Sequence, residues 1–397
     1  MTATDIAPPV DESTVVLPAV KEPTRWRPNT RGWAIRIAVI AALVIVLGVR
    51  LATLGGLWAD HISQAVIFAI IGLSLNVILG YTGQVSLGHH AFVGLAAFVA
   101  AHHITERAGC LPEEGCQYAP MGGFAVAVGL AILSGIIASG LLGIVALRIK
   151  GLYLALITLT YGFFAVNSIF EIPSLTRGGA GMPAPRPKLL ITDHRFMVFC
   201  LAALAVCLFI DWRFLASRIG RAVLAVKNSE AVAASYAVNV TAYKLMAFML
   251  SGAFAGLAGA LFAYRRQIVV SNDFRFESAL LWVLMVVVGG LGKRTGVVIG
   301  SMFFALFPYL IDLVTPLSDF LANLDRDPEE FTLVIGPALA LITMIISPGG
   351  IAEQIRPITN WLAGNRFTMH PDGGSHHKPS LLAKLRNRSA PAAEESS

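Results

Sequence analysis

"HISQAVIFAIIGLSLNVILGYTGQVSLGHHAF", residues 61–92, contains no Asp, Glu, Lys or Arg, and the charge-free run continues to Glu106. A second charge-free run separates Glu114 from Arg148. Apolar runs of about 20 residues without charge are typical of membrane-spanning helices. The chain as a whole agrees, with 56% hydrophobic residues, 14% charged residues and a mean hydropathy of +0.70, whereas soluble domains are roughly a quarter charged.

We therefore predict an all-α integral membrane protein, a polytopic helical bundle of about ten transmembrane helices, with eight to ten crossings if some helices are interrupted. The predicted spans are 33–54, 61–80, 88–103, 121–147, 151–170, 196–211, 244–263, 279–291, 296–314 and 331–347. These spans place a transmembrane domain at residues 33–355. The Pro-, Thr- and charge-rich start, residues 1–32, lacks the features of a signal peptide and is predicted to be a disordered tail. Residues 356–397 are predicted to be a basic, largely disordered tail that meets lipid headgroups rather than nucleic acid.

The distribution of basic residues predicts the orientation. With the N-terminus inside and alternating spans, about two thirds of the 30 Lys and Arg residues face the cytoplasm, as the positive-inside rule requires. Both termini are then cytoplasmic in a multi-pass protein of the cell's inner or plasma membrane. Cys110 and Cys116 fall in an outward loop, where oxidising conditions permit the external disulfide that we predict. Cys200 and Cys207, inside a predicted span, are expected to be apolar filler.

Within the opening stretch, residues 80–92 interrupt the apolar pattern with glycines and polar side chains. Glycine adopts backbone angles that other residues avoid, and Gly-interrupted membrane helices are where transporters place substrate. We predict a helix broken near Gly83 and Gly88, and a substrate pathway formed by Asn76, Gly83, Gln84, Ser86, Gly88 and His89. The alternative is that the small residues only permit close helix packing, with His90 as a hydrogen-bonded interface residue.

The longest predicted inside loop is "DWRFLASRIGRAVLAVKNSEAVAASYAVNVTAYKL", residues 211–245. Its alanine content favours helix, and we expect two short helices, the second beginning at Ser229 and ending at Asn239. Two interpretations remain open. The loop is either an ordinary juxtamembrane segment near lipid phosphates or a docking surface for a soluble partner.

The stretch "SRIGRAVLAVKNSEAVAASYAVNVTAYKLMAF" (217–248) resembles the coupling loop of LivM-type permeases of branched-chain amino acid ABC transporters. "GYTGQVSLGHHAFVGLAAFVAA", "LRIKGLYLALITLTYG", "TRGGAGMPAP", "LMVVVGGLGKRTGVVIGS" and "ISPGGIAE" resemble further segments of that family, in the same order, over about residues 60–355. The resemblance implies a permease subunit of a binding-protein-dependent importer, working with a second related permease, two cytoplasmic ATPase subunits and an extracytoplasmic solute-binding protein. It also implies ATPase coupling through Arg218, Gly220, Arg221, Lys227 and Glu230.

Several sequence signals of other functions are missing. The chain has no phosphate-binding loop, since the nearest string, "GLGKRTG", lacks the required pattern, so ATP is expected to bind to the partner subunits. No metal-ligand spacing and no catalytic constellation occur, and we predict no cofactor, no metal and no enzymatic activity. Two alternatives stand beside amino-acid import. One is a related permease for urea or short amides, and the other is a stand-alone secondary transporter. A secondary transporter usually needs an intramembrane charge, and Glu171, Asp211 and Asp312 fall at predicted span ends.

Overall fold

A computed structural model of the chain describes residues 55–107, 118–146, 151–314 and 350–355. The predicted spans 33–54 and 331–347, both predicted tails and the Cys110–Cys116 pair lie outside these residues. Each of the other eight predicted spans contains a helix, which confirms the helical membrane architecture for the described part of the chain.

Eleven α-helices lie within residues 55–314 of the described part, and residues 351–355 are helical as well. The eleven are α1 Gly56–Leu75, α2 His89–His102, α3 Met121–Ala146, α4 Leu152–Asn167, α5 Pro173–Thr176, α6 Asp193–Ala216, α7 Arg218–Asn228, α8 Glu230–Ser235, α9 Val240–Arg266, α10 Phe276–Gly289 and α11 Arg294–Val314. Two π-helical segments, Asn76–Thr82 and His103–Arg107, extend α1 and α2. Short 3-10 turns occupy Ile169–Glu171, Gly178–Ala180, Lys188–Leu190 and Ser271–Phe274, and strands β1 Met182–Pro183 and β2 Ile268–Val269 pair antiparallel.

Among the described residues, five segments are long and apolar enough to cross a membrane: Gly56–Thr82, Met121–Val145, Tyr153–Glu171, Asp193–Ala216 and Val240–Arg266. They differ greatly in how far the bundle buries them. The most apolar window of Gly56–Thr82 is 78% buried and that of Val240–Arg266 is 67% buried, against 22% for Asp193–Ala216. Helices α1 and α9 therefore form the centre of the bundle, and α6 lies at its periphery.

Close approach of α9 to α3 depends on small residues. Gly252 and Gly256 on α9 are four residues apart, the spacing that lets membrane helices touch backbone to backbone. A Cβ at Gly252 would overlap the carbonyl oxygen of Gly135, and one at Gly256 would overlap that of Ala131. No larger side chain fits at these two positions without moving α3 away from α9.

The connecting segments gather at two ends of the bundle. Residues 80–85, 151, 226–230 and 290–293 meet at one, which we call the break end. Residues 119, 182–187 and 264–269 meet at the other, the far end, through the β1–β2 pair and an isolated bridge between Ala119 and Pro187. The segments that the charge pattern predicts to be cytoplasmic thus lie together, as alternating crossings require.

The predicted 211–245 loop differs from the observed segment at both boundaries. Helix α6 continues to Ala216, so Asp211 lies inside a helix rather than at the start of a loop. Ser229 begins α8 as predicted, its hydroxyl accepting from the Val232 N–H at 3.3 Å. The expectation that Asn239 ends the second helix is wrong. Its side chain accepts from the Ala242 N–H at 3.1 Å and starts α9 instead, because Asn is favoured at helix starts as well as ends.

Candidate functional site

The first crossing within the described residues, Gly56–Thr82, which we call the first crossing below, ends in a widened and then broken helix. After the π-helical turn Asn76–Thr82, Gly83 adopts a left-handed conformation with φ 71°, which glycine tolerates and other residues rarely do. Residues 83–88 are not helical, and α2 begins at His89. The prediction of a helix broken near Gly83 and Gly88 is confirmed.

The broken segment turns back into the bundle, and we call residues 83–89 the re-entrant segment. The Leu87 N–H donates to the Thr158 hydroxyl at 3.0 Å, and a Cβ at Gly88 would overlap the Thr158 carbonyl oxygen. His89 Nε2 lies 2.6 Å from the hydroxyl oxygen of Ser74, a residue roughly two turns, or about 12 Å, before the end of the first crossing. Non-helical backbone is tolerated at such depth only where protein or a watery cavity surrounds it.

Three side chains of the re-entrant segment carry unpaired polar atoms. Within the described part of the chain, Gln84 Oε1, Ser86 Oγ and His89 Nδ1 are buried and have no hydrogen-bond partner. Because buried polar atoms in proteins are nearly always paired, three such atoms within six residues need an explanation. They belong to three of the side chains predicted to line the substrate pathway.

His89 also joins three helices. Its Nε2 meets the Ser74 hydroxyl, and Ser74 in turn lies 2.6 Å from the Ser251 carbonyl oxygen, while the Ser251 hydroxyl donates to the Ser74 carbonyl at 2.8 Å. This network links α1, α2 and α9 at a buried position. The neighbouring His90 packs its ring against Gly162 on α4, where a Cβ would overlap the ring.

Asn76, another predicted pathway residue, makes a contact that the sequence did not reveal. Its Oδ1 accepts from the Gly292 N–H at 2.8 Å. A Cβ at Gly80 would lie 2.7 Å from the same Gly292 nitrogen. The absence of a side chain at Gly80 therefore lets the turn between α10 and α11 reach the end of the first crossing.

The predicted coupling residues divide into two groups. Arg218 and Arg221 are exposed, and Arg221 Nη1 donates to the Ala216 carbonyl at 2.9 Å. Lys227, which is also exposed, and the half-buried Glu230 instead bond to groups of other elements. Lys227 Nζ donates to the Gly80 carbonyl at 2.7 Å, and Glu230 Oε1 lies 2.5 Å from Lys244 Nζ.

Gly220 has a packing role. A Cβ there would overlap the Phe214 carbonyl oxygen at the end of α6. Its N–H donates to the Ser217 hydroxyl at 3.2 Å, which caps the start of α7. Gly220 thus sets the tight turn from α6 into α7 rather than offering a side chain to a partner.

Parts of the two predicted sets share one cleft: Gly83 and Gln84 of the pathway set and Lys227 and Glu230 of the coupling set line it, and the other predicted residues do not. This cleft has a volume of about 540 Å³ and is lined by Thr82, Gly83, Gln84, Val85, Gly151, Leu154, Ala155, Val226, Lys227, Asn228, Ser229, Glu230 and Lys244. Polar groups come from the re-entrant segment and from α7–α8, and α4 contributes an apolar wall. In the described residues no group of three His, Cys, Asp or Glu side chains is placed to hold a metal ion.

Comparison with known proteins decides the family. The model of the family described as "Branched-chain amino acid transport system / permease component" matches residues 57–346. The chain belongs to this permease family. Its members are transport components, and this permease is a multi-pass membrane protein by its several long apolar helices.

Named relatives agree with the family. The permease is 28% identical over 328 residues to the high-affinity branched-chain amino acid transport system permease protein LivM of Salmonella typhimurium, covering 75% of this chain and 70% of that protein. It is 27% identical to the protein of the same name from Escherichia coli, with the same coverage. A probable LivM permease of Methanocaldococcus jannaschii is 23% identical, over 74% of this chain and 92% of that one. No solved structure matches the permease.

Sequence reasoning missed a buried charge cluster in the permease at the break end. Asp211, fully buried on α6, accepts from the Tyr81 hydroxyl at 3.1 Å and lies 3.4 Å from Arg294 Nε. The available signal was an acid followed by a further helical turn, "DWRFLA", which continues α6 beyond the predicted span end. The cluster joins the π-helical turn to α6 and to the start of α11.

A second missed cluster fixes the far end of the permease. Arg186 is 5% exposed, and its guanidinium donates to the Tyr264 carbonyl at 2.8 Å and to Asp193 at 2.7 Å. Arg265 donates to Asp60 at 2.6 Å. These bonds clamp the loop after "TRGGAGMPAP" onto the ends of α1, α6 and α9, since buried charges require such partners.

Helices α7 and α8 and the residue that follows them carry exposed apolar side chains, as the docking interpretation of this loop expects. Leu224, Val232 and Tyr236 are 38%, 56% and 80% exposed. Together with Arg218 and Arg221 they form what we call the docking face. Exposed aromatic and apolar side chains flanked by arginines are typical of protein interfaces.

Proposed function

We propose that the chain is the permease subunit of a binding-protein-dependent ABC importer for branched-chain, apolar amino acids. The family match over residues 57–346 supports the transport role. The observation that carries the pathway is the re-entrant segment, with unpaired atoms on Gln84, Ser86 and His89. In this proposal the segment lines the translocation route and opens to it during transport.

The chemistry of the segment suits an apolar amino acid. Such a substrate needs an apolar wall for its side chain and polar groups for its zwitterionic end. Formal charges are costly at membrane depth, so neutral donors, acceptors and helix ends are the cheaper way to supply polarity. Gln84, Ser86 and His89 are neutral polar groups of this kind, and Leu154 and Val85 offer apolar surface beside them.

The proposal assigns partners to the two ends of the bundle. Two cytoplasmic ATPase subunits bind the ATP, so the permease itself needs no cofactor. One of these subunits contacts the permease at the docking face. A second related permease completes the pathway, and an extracytoplasmic solute-binding protein delivers substrate at the far end. The permease lies in the plasma (inner) membrane with both termini cytoplasmic, as the distribution of Lys and Arg supports.

Uptake by the reconstituted importer tests the substrate and the pathway together. Proteoliposomes containing both permeases, the ATPases and the binding protein are expected to accumulate labelled leucine and not urea. Gln84→Leu and Ser86→Ala are expected to lower uptake on the order of tenfold, the effect of about 1.4 kcal/mol, while the complex is still recovered. Urea uptake in place of leucine uptake would overturn the substrate. Normal leucine uptake by both variants would overturn the pathway.

Pull-down of the ATPase tests the docking face. Val232→Asp places a charge on its exposed apolar surface and is expected to release the ATPase from the purified permease. Thr241→Asp is the matched control, because Thr241 is also exposed at the start of α9 but lies outside the docking face. Equal ATPase recovery with both variants would contradict the assignment of this surface.

A further inference from the structure

The last turn of the first crossing has carbonyl groups that its own helix cannot pair. The π-helical segment ends at Thr82, and the Gly83 and Gln84 N–H groups both bond to the Ile78 carbonyl. Carbonyls in the final turn of any helix lack donors ahead of them and require partners from elsewhere. In the permease, the partner of the Gly80 carbonyl is the Lys227 ammonium at 2.7 Å.

Lys227 also touches the first residue of the break. A Cβ at Gly83 would lie 3.4 Å from Lys227 Cγ, which places the aliphatic stem of the lysine against the left-handed Gly83. A cation at a helix C-terminus is favoured by the helix dipole as well as by the bond itself. The Lys227 side chain thus contacts both the end of the first crossing, at the Gly80 carbonyl, and the start of the re-entrant segment, at Gly83.

The bond is a long-range one. Lys227 is 147 residues from Gly80 and lies in the last turn of α7, the helix that carries Arg218, Arg221 and Leu224 of the docking face. Two other long-range bonds hold the π-helical turn Asn76–Thr82. The Gly292 N–H donates to Asn76 Oδ1, and the Tyr81 hydroxyl donates to the Asp211 carboxylate. A displacement of α7 against the bundle therefore pulls on the first crossing at Gly80.

We propose that Lys227 is a positioning residue that transmits movement of α7–α8 to the re-entrant segment, through its bond to the Gly80 carbonyl. This inference rests on the proposed function, since the movement is supplied by the ATPase. Lys227 acts through the backbone of residues 80–83 and does not itself bind the substrate. Gly83, whose φ is positive, is the point at which the chain changes direction when the bond pulls.

The test measures the exposure of the segment rather than transport alone. The four cysteines of the chain are replaced, and Ser86→Cys is introduced into the complete importer. The rate at which the introduced thiol reacts with a small water-soluble maleimide is compared without nucleotide and with ATP plus vanadate. In this background we expect a change in rate on trapping, and we expect Lys227→Met to abolish it. In the chain with its native Ser86, Lys227→Met is further expected to lower transport per ATP hydrolysed roughly tenfold, in line with losing a hydrogen bond from a charged donor.

Two variants separate positioning from a structural effect. Lys227→Arg keeps a long cationic donor and is expected to restore the nucleotide-dependent change. Arg213→Met, at an exposed site on the last turn of α6, removes the same charge and is expected to behave as the parent. If Lys227→Met cannot be purified, Lys227→Gln, uncharged and too short to span the cleft, takes its place in the same measurement.

The outcomes separate the inference from the proposed function. A nucleotide-dependent change that survives in Lys227→Met or Lys227→Gln overturns the inference. So does a thiol at position 86 whose reaction rate never responds to nucleotide in an importer that accumulates leucine. A permease that neither associates with an ATPase nor supports uptake overturns the proposed function. Loss of the change in Lys227→Met, with its return in Lys227→Arg, supports the inference.

Discussion

The Tyr81 hydroxyl donates to the buried carboxylate of Asp211 at 3.1 Å, across 130 residues of sequence. The same carboxylate has Arg294 Nε at 3.4 Å, and the Arg294 side chain is 25% exposed while that of Asp211 is fully buried. The pair therefore places one charge inside the bundle and its counter-charge at the edge.

This asymmetry predicts unequal effects of removing each partner. Arg294→Met leaves a buried carboxylate without a counter-ion and is expected to cost about 3–5 kcal/mol of stability. Asp211→Asn leaves a guanidinium that can turn toward water and is expected to cost clearly less. Thermal unfolding of the purified permease in detergent measures both. Lys293→Met, at the exposed neighbouring position, is the control and is expected to change stability by less than about 0.5 kcal/mol. Greater damage from Asp211→Asn would contradict this account.

The Ser74–His89 contact is expected to be energetically coupled. Ser74→Ala and His89→Ala each remove one side of the 2.6 Å contact, and their effects on unfolding should be less than additive by about 0.5–1 kcal/mol, as for other hydrogen bonds between membrane helices. Ser63→Ala provides the comparison, because the Ser63 hydroxyl donates to Ala59 of its own helix at 2.8 Å. The effects of Ser63→Ala and His89→Ala on the free energy of unfolding are expected to add. If the effects of Ser74→Ala and His89→Ala add in the same way, the Ser74–His89 contact contributes no coupling energy.

The contact between α3 and α9 predicts that alanine is harmful at one glycine and harmless at another. Gly252→Ala forces a Cβ into the Gly135 carbonyl, whereas a Cβ at Gly129 meets nothing within 4 Å. We expect Gly252→Ala to lower the yield of monodisperse protein in size-exclusion chromatography, and Gly129→Ala to leave it unchanged. Equal yields would mean that α3 moves away from α9 at little cost.

The cysteine loop gives a test of the orientation. Cys110 and Cys116 are predicted to form an external disulfide, whereas Cys200 and Cys207 are free and buried. A membrane-impermeant maleimide added to intact cells is expected to label the protein only after reduction. Labelling without reduction would rule out the disulfide, and labelling only from the cytoplasmic side would reverse the topology.

Local signals in the sequence predicted the local structure well. The glycines at 83 and 88 predicted the break, and Ser229 before Glu230 predicted the start of α8, since such residues act on their immediate neighbours. Asn239 misled because asparagine is accepted at either end of a helix. The bonds from Lys227 to Gly80 and from Tyr81 to Asp211 span 147 and 130 residues. Periodicity and composition describe each helix alone, so they carry no information about which helix ends meet.

The unequal burial of the membrane segments determines which amino-acid substitutions each of them tolerates. Only 22% of the most apolar window of Asp193–Ala216 is covered by the rest of the described bundle, against 78% for Gly56–Thr82. On the exposed face of Asp193–Ala216, exchanges among Leu, Ile, Val and Phe are expected to change little, because few close-packed neighbours within the described residues constrain their shape. In Gly56–Thr82 the same exchanges meet close-packed neighbours on every side. Homologous chains should therefore vary freely on the exposed face of Asp193–Ala216 and should keep both the size and the shape of the side chains in Gly56–Thr82.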